Sequence, residues 1–71
     1  LNELINRQII NLDLSIEIKS IFQVAGFVYL KQLLEKSPEE LMDIPGLTLR
    51  HLSEYKRFII KHGLQVLQKD F

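Results

Sequence analysis

The sequence contains no cysteine and no tryptophan, only two prolines and three glycines, and no excess of either charge. Without cysteine there is no disulfide framework and no thiolate site for metal or nucleophilic chemistry. Absence of thiols fits a reducing, cytoplasmic setting. No apolar run approaches the roughly 18 residues that span a bilayer, so a membrane role is not expected. No signal peptide is visible, because Glu3, Asn6 and Arg7 interrupt the first apolar residues. A chain of 71 residues forms one domain at most, and it opens on Leu1 rather than methionine. It therefore reads as a piece of a longer protein. A domain this small buries only about 60% of its unfolded surface, so packing must carry its stability. The 46% hydrophobic content is compatible with that.

Nine basic side chains balance nine acidic ones. A dedicated nucleic-acid binder usually has a basic excess, so neutrality argues mildly against tight DNA binding. The charges are nonetheless segregated along the chain. Lys36 is the only base among Glu35, Glu39, Glu40 and Asp43, whereas Arg50, Lys56, Arg57 and Lys61 face one acid, Glu54. The folded domain is expected to be polar in charge.

Apolar periodicity points to helices throughout. Leu1, Leu4, Ile5 and Ile9 recur at helical spacing before Asn11. Leu12, Leu14, Ile16 and Ile18 alternate as a strand would, but no partner strand is offered elsewhere. Ile18, Ile21, Phe22 and Ala25 fit one helix face with Ser15 as N-cap, and Gly26 ends that helix. Leu30, Leu33 and Leu34 make a short helix. Ser37-Pro38-Glu39-Glu40 combines a capping serine, proline at the first helical position and a reciprocal glutamate. The helix it starts must end before Pro45. A longer helix runs from about Leu49 to His62 with Leu52, Tyr55 and Ile59 inside, closed by Gly63 with Leu64 folding back. Val66, Leu67 and Phe71 are expected to pack as a tail. The expected fold is all-α, a compact bundle of four to five short helices containing a helix–hairpin–helix.

Leu41 to Tyr55 forms that hairpin, with Pro45-Gly46 at its turn. Such a turn brings the start of the second helix near a phosphate, where free amides and the helix dipole bind the anion without reading sequence. The turn alone fits a purely structural hairpin equally well. Thr48 weakens the phosphate reading, since its hydroxyl can cap the amides that a phosphate would need.

Leu12-Asp13-Leu14-Ser15, Ala25-Gly26-Phe27, Leu33-Leu34, Ser37-Pro38-Glu39-Glu40-Leu41, Ile44-Pro45-Gly46-Leu47 and Gly63-Leu64, in this order and spacing, resemble the C-terminal domain of the bacterial RNA polymerase α subunit. The resemblance runs without a gap from about Leu12 to Leu64. It divides the chain into an N-terminal helical extension (1–11), the polymerase-like domain (12–64) and a tail (65–71). It implies a module that binds the minor groove of AT-rich promoter DNA and docks transcription activators. Position by position, the family's arginine two residues after the capping residue becomes Glu17, and its asparagine becomes Ser20. The hairpin's second glycine becomes Thr48, and the lysine–serine pair opening the last helix becomes Arg50 and His51. A carboxylate at residue 17 is repelled where the arginine would be attracted. The fold is thus expected to transfer, with promoter binding weak or absent.

Two functions follow as expectations. One is weak DNA binding through the phosphate backbone, using Lys19, Ser20, Thr48, Leu49, Arg50 and His51, with Lys31 a further candidate. The other is a docking module for a transcription-related protein on the same scaffold. Neither calls for a cofactor, a metal or catalysis. His51 and His62, eleven residues apart on one helix, stand about 16 Å apart and cannot share a zinc ion; each reads as an exposed polar side chain. Glu39 and Asp43 read as a solvated acidic face. Ser15, Ser37 and Thr48 read as caps with no nucleophile motif around them. Phe22, Phe27 and Tyr55 read as core, and Tyr29 as partly exposed.

Overall fold

The computed structural model describes residues 3–71, which form four α-helices: α1 (Ile16–Val24), α2 (Leu30–Leu34), α3 (Pro38–Leu41) and α4 (Leu49–Lys61). Two 3₁₀ turns, Glu3–Asn6 and Ile9–Asn11, precede them. No strand occurs among the described residues, and the architecture is the expected all-α bundle with a helix–hairpin–helix at α3–α4.

Each helix starts at a side-chain hydrogen bond to its first backbone amides or to those just before it. Ser15 Oγ accepts from the Ile18 N–H at 3.3 Å. Gln32 Oε1 accepts from the N–H groups of Val28 and Tyr29 at 2.7 and 2.9 Å, opening α2. Ser37 and Glu40 complete the expected reciprocal box, with Glu40 N–H to Ser37 Oγ at 3.2 Å and Ser37 N–H to Glu40 Oε1 at 2.9 Å. These bonds satisfy amides that have no partner within the helix, each cap stabilising by about 1 kcal/mol.

The inner faces of the helices meet in one core. Phe22 lies at its centre, edge-on to Tyr55 with ring centroids 5.9 Å apart and to Phe27 at 6.2 Å. Ile18, Leu30, Leu33, Leu41 and Ile59 surround it, all fully buried. Beyond α4, Gly63 takes φ +67° and the chain reverses. Gly63 N–H then donates to Ile60 O and Leu64 N–H to Ile59 O, so Leu64 folds back into the core as expected.

Two expectations are corrected. The N-terminal segment is two 3₁₀ turns instead of one helix, because Gln8 is extended and bridges Tyr29. Ile9 N–H donates to Val28 O at 2.7 Å and Leu30 N–H to Arg7 O at 3.1 Å, bonds that a continuous helix would forfeit. Ile9 is still wholly buried, with Leu4 and Ile5 packed on the same core; Leu1 lies outside the described residues. Helix α3 ends at Leu41, before Pro45 as expected, and residues 42–46 form turns and a bend. Second, the tail does not pack through its apolar residues. Val66 is 83% exposed, and Leu67 and Phe71 are also exposed, while Gln68 is buried. A buried amide there satisfies polar groups of the core that an aliphatic side chain could not.

Candidate nucleic-acid interface

Leu41 and Ile44 anchor the hairpin from inside, and Leu47 pins its far side. Between them Leu47 N–H donates to Ile44 O at 3.1 Å across Pro45-Gly46, with Gly46 at φ +89°. Proline at the first central position and a left-handed glycine at the second make this a type II turn. It seats the hairpin against α1, since a Cβ on Gly46 would lie 4.0 Å from Ile21 Cγ1.

Thr48 then caps α4. Its Oγ1 accepts from the His51 N–H at 3.4 Å, and its own N–H donates to His51 Nδ1 at 3.0 Å. This is a reciprocal capping box in which an imidazole replaces the usual glutamate or glutamine. Because Nδ1 accepts from an amide, the hydrogen-bond network assigns the ring proton to Nε2. That N–H donates to Glu17 Oε1 on α1. The same carboxylate oxygen receives Arg50 Nη2 at 3.3 Å. Two donors from the first turn of α4 thus converge on one oxygen of the first turn of α1. The hydrogen bond from His51, and after it the charges around the carboxylate, hold Glu17 below its ordinary 4.5.

This corrects one expectation. His51 is not an exposed polar side chain; it is buried, 6% exposed, because its two ring nitrogens bridge Thr48 and Glu17. Glu17, its side chain still 60% exposed, turns onto Arg50 and His51. His62 is half-buried too, its ring 4.5 Å from that of Phe58 and its Nε2 enclosed without a hydrogen-bond partner.

Of the site residues read from sequence, Thr48, Arg50 and His51 come together. Leu49 projects outward between them, 72% exposed. Lys19 is half-buried and Ser20 exposed on α1, and neither side chain makes a hydrogen bond or ion pair. Lys31 lies over the Tyr29 ring, 5.9 Å from its centroid, away from the hairpin turn in the sequence and bonded to none of these residues.

The sequence reading missed Glu54. Its carboxylate receives the Ser15 N–H at 2.7 Å and the Ser15 hydroxyl at 2.9 Å, tying α4 to the cap of α1. Glu54 and Arg57 line a shallow groove of about 400 Å³ together with Ser15, Glu17, Arg50 and His51. No local signal marks a contact between residues 39 positions apart; only the cross-helix geometry does. The expected charge polarity is likewise blunted. Besides the Glu17–Arg50 pair, Lys61 pairs with Asp13 and Lys69 with Glu40, both at 3.5 Å.

Among the described residues no cluster of His, Asp or Glu could hold a metal ion, and no helix is long and apolar enough to cross a membrane. No protein-family model matches the chain, and no curated protein matches it.

Proposed function

We propose that this domain is a non-enzymatic, transcription-associated module of the RNA polymerase α C-terminal type, touching DNA weakly through its phosphate backbone at the α3–α4 hairpin. The observation that carries this reading is the convergence of His51 Nε2–H and Arg50 Nη2 on one carboxylate oxygen. Two donors aimed at one oxygen are an oxyanion site, and a phosphodiester presents the same acceptor. The sequence resemblance, which places the hairpin where that family meets DNA, supports the same assignment.

Weakness follows from charge. In the groove Arg50 and Arg57 are offset by Glu17 and Glu54, so the groove carries no net cation to drive counterion release. Binding should therefore be detectable at low salt and fade towards physiological salt. Fluorescence anisotropy with a short AT-rich duplex tests this. Arg50→Ala should abolish the salt-sensitive component, and an affinity unchanged by that substitution rejects the site.

A second reading, docking of a transcription-related protein, is favoured by two exposed apolar side chains beside the ion pair. Ile16 is 81% exposed next to Glu17, and Leu49 is 72% exposed next to Arg50. Apolar side chains flanking a neutralised pair suit a protein surface better than a polyanion. Capture of a defined partner from nuclease-treated lysate that is lost in both Ile16→Asp and Leu49→Asp would favour it over DNA.

A further inference from the structure

We propose that Glu17 is a built-in occupant of the oxyanion site, an intramolecular carboxylate that a phosphate must displace before the hairpin can hold it. The inference rests on the DNA-backbone reading for the identity of the external ligand, a phosphodiester, but not for the existence of the site.

The donor side of the site is fixed. His51 is buried, and its Nδ1 is committed to the Thr48 N–H at 3.0 Å with the Thr48 hydroxyl 3.1 Å away. The ring cannot turn over without breaking the cap of α4, so Nε2–H stays aimed at the groove. A buried N–H needs an acceptor at all times. Glu17 supplies it now, and an external oxyanion is a substitute that also receives Arg50 Nη2.

The acceptor side is free to leave. The Glu17 side chain is 60% exposed, whereas that of His51 is 8% exposed, so the wall is buried and the plug is solvated. The cap of α1 is made by Ser15 and not by Glu17. Glu54, the other acid of the groove, cannot serve as the plug. Both of its oxygens are held by Ser15, at 2.7 and 2.9 Å. The two acids of one groove therefore have different duties: Glu54 ties helices together, and Glu17 fills the site.

A site occupied by its own ligand for most of the time binds an external one with an affinity reduced by the unoccupied fraction. If Glu17 leaves the site open about a tenth of the time, its removal raises apparent affinity about tenfold. Charge removal alone would also strengthen anion binding, but it would do so for either acid of the groove.

The test is a ¹⁵N–¹H NMR titration of the 71-residue chain with inorganic phosphate and then with a short AT-rich duplex, comparing wild type, Glu17→Ala, Glu17→Gln, Glu54→Gln and Glu17→Ala/Arg50→Ala. Expected is an affinity gain for phosphate of about tenfold in Glu17→Ala, with shifts at Arg50 and the His51 ring. Glu17→Gln, which keeps an acceptor but no charge, should gain less, and the double variant should lose the gain. Equal phosphate affinity in wild type and Glu17→Ala overturns the proposal. So does a gain as large in Glu54→Gln, or one that survives loss of Arg50. A phosphate gain without any duplex binding keeps the plug and removes the DNA reading. Duplex binding that needs Arg50 but ignores Glu17 does the reverse.

Discussion

The hydroxyl of Tyr55 donates to Oε1 of Gln68 in the interior of the domain, thirteen residues further along the chain. Gln68 Nε2 in turn donates to the carbonyls of Leu33 and Lys36, so one amide joins α4, the end of α2 and the residues after α4. Burial pushes the Tyr55 phenol above its ordinary 10.0, which keeps it a proton donor throughout the range in which the protein is handled. Removing Gln68 leaves the buried Tyr55 hydroxyl without its acceptor and takes a donor from the carbonyls of Leu33 and Lys36. Gln68→Ala should cost about 2 kcal/mol in urea denaturation, and Tyr55→Phe about 1 kcal/mol. The double variant should lose less than the sum, because the two side chains share one bond.

Thr48 offers a second measurement. Its hydroxyl caps α4, so Thr48→Ala should destabilise by about 1 kcal/mol, whereas Thr48→Gly should cost only a few tenths. Thermal denaturation of the two variants separates them. An alanine variant as stable as wild type would mean that the His51 side of the box suffices alone.

Gly63 tests backbone conformation in isolation. At φ +67°, a Cβ added there would meet no atom within 4 Å beyond its chain neighbours, so sterics give no reason to exclude a methyl group. Gly63→Ala should therefore cost only the left-handed penalty, about 1 kcal/mol, read from the urea midpoint. Gly46→Ala should behave similarly, since its methyl would meet Ile21 Cγ1 at 4.0 Å, an ordinary contact.

Two carboxylates are expected to contribute to the acid side of stability. The hydrogen bond from His51 lowers Glu17, and the hydrogen bond from the Ser37 backbone, with Lys69 nearby, lowers Glu40. A depressed folded value means stability that is complete above the ordinary 4.5 and is lost as pH falls through the lower folded value. Urea midpoints measured from neutral pH down to about pH 2 should fall below about 4.5, and the fall should be shallower in Glu17→Gln/Glu40→Gln. An identical slope would mean that other acids govern the transition.

The elements legible in the sequence are those written in local chemistry. Ser15, Ser37, Thr48 and Gly63 mark helix ends through bonds reaching three to five residues, and each takes the role its neighbours announce. The core face of α4 follows from helical spacing in the same way, with Leu52, Tyr55 and Ile59 inside. What is not legible depends on partners distant in sequence. His51 is buried because of Glu17, 34 residues earlier, and Gln68 because of Leu33, 35 residues earlier. A polar side chain carries no periodic signal of burial, and the apolar tail residues near Gln68 point to the wrong side of that turn. For the candidate site, residue types are readable, but the sideways pairing of Glu17 with Arg50 is not.

The five residues of α2 hold more of the molecule than their length suggests. Leu30 N–H donates to Arg7 O at 3.1 Å, and Leu34 O accepts from Lys69 N–H at 2.9 Å, at opposite ends of this short helix. The residues before α1 and those after α4 are thereby moored to the same turn and a half of chain. Peeling away either flank strips α2 of one of its moorings and loosens the other. Amide protons of Leu30 and Lys69 should then exchange with solvent at matched rates, as if the chain were a ring clasped at its middle.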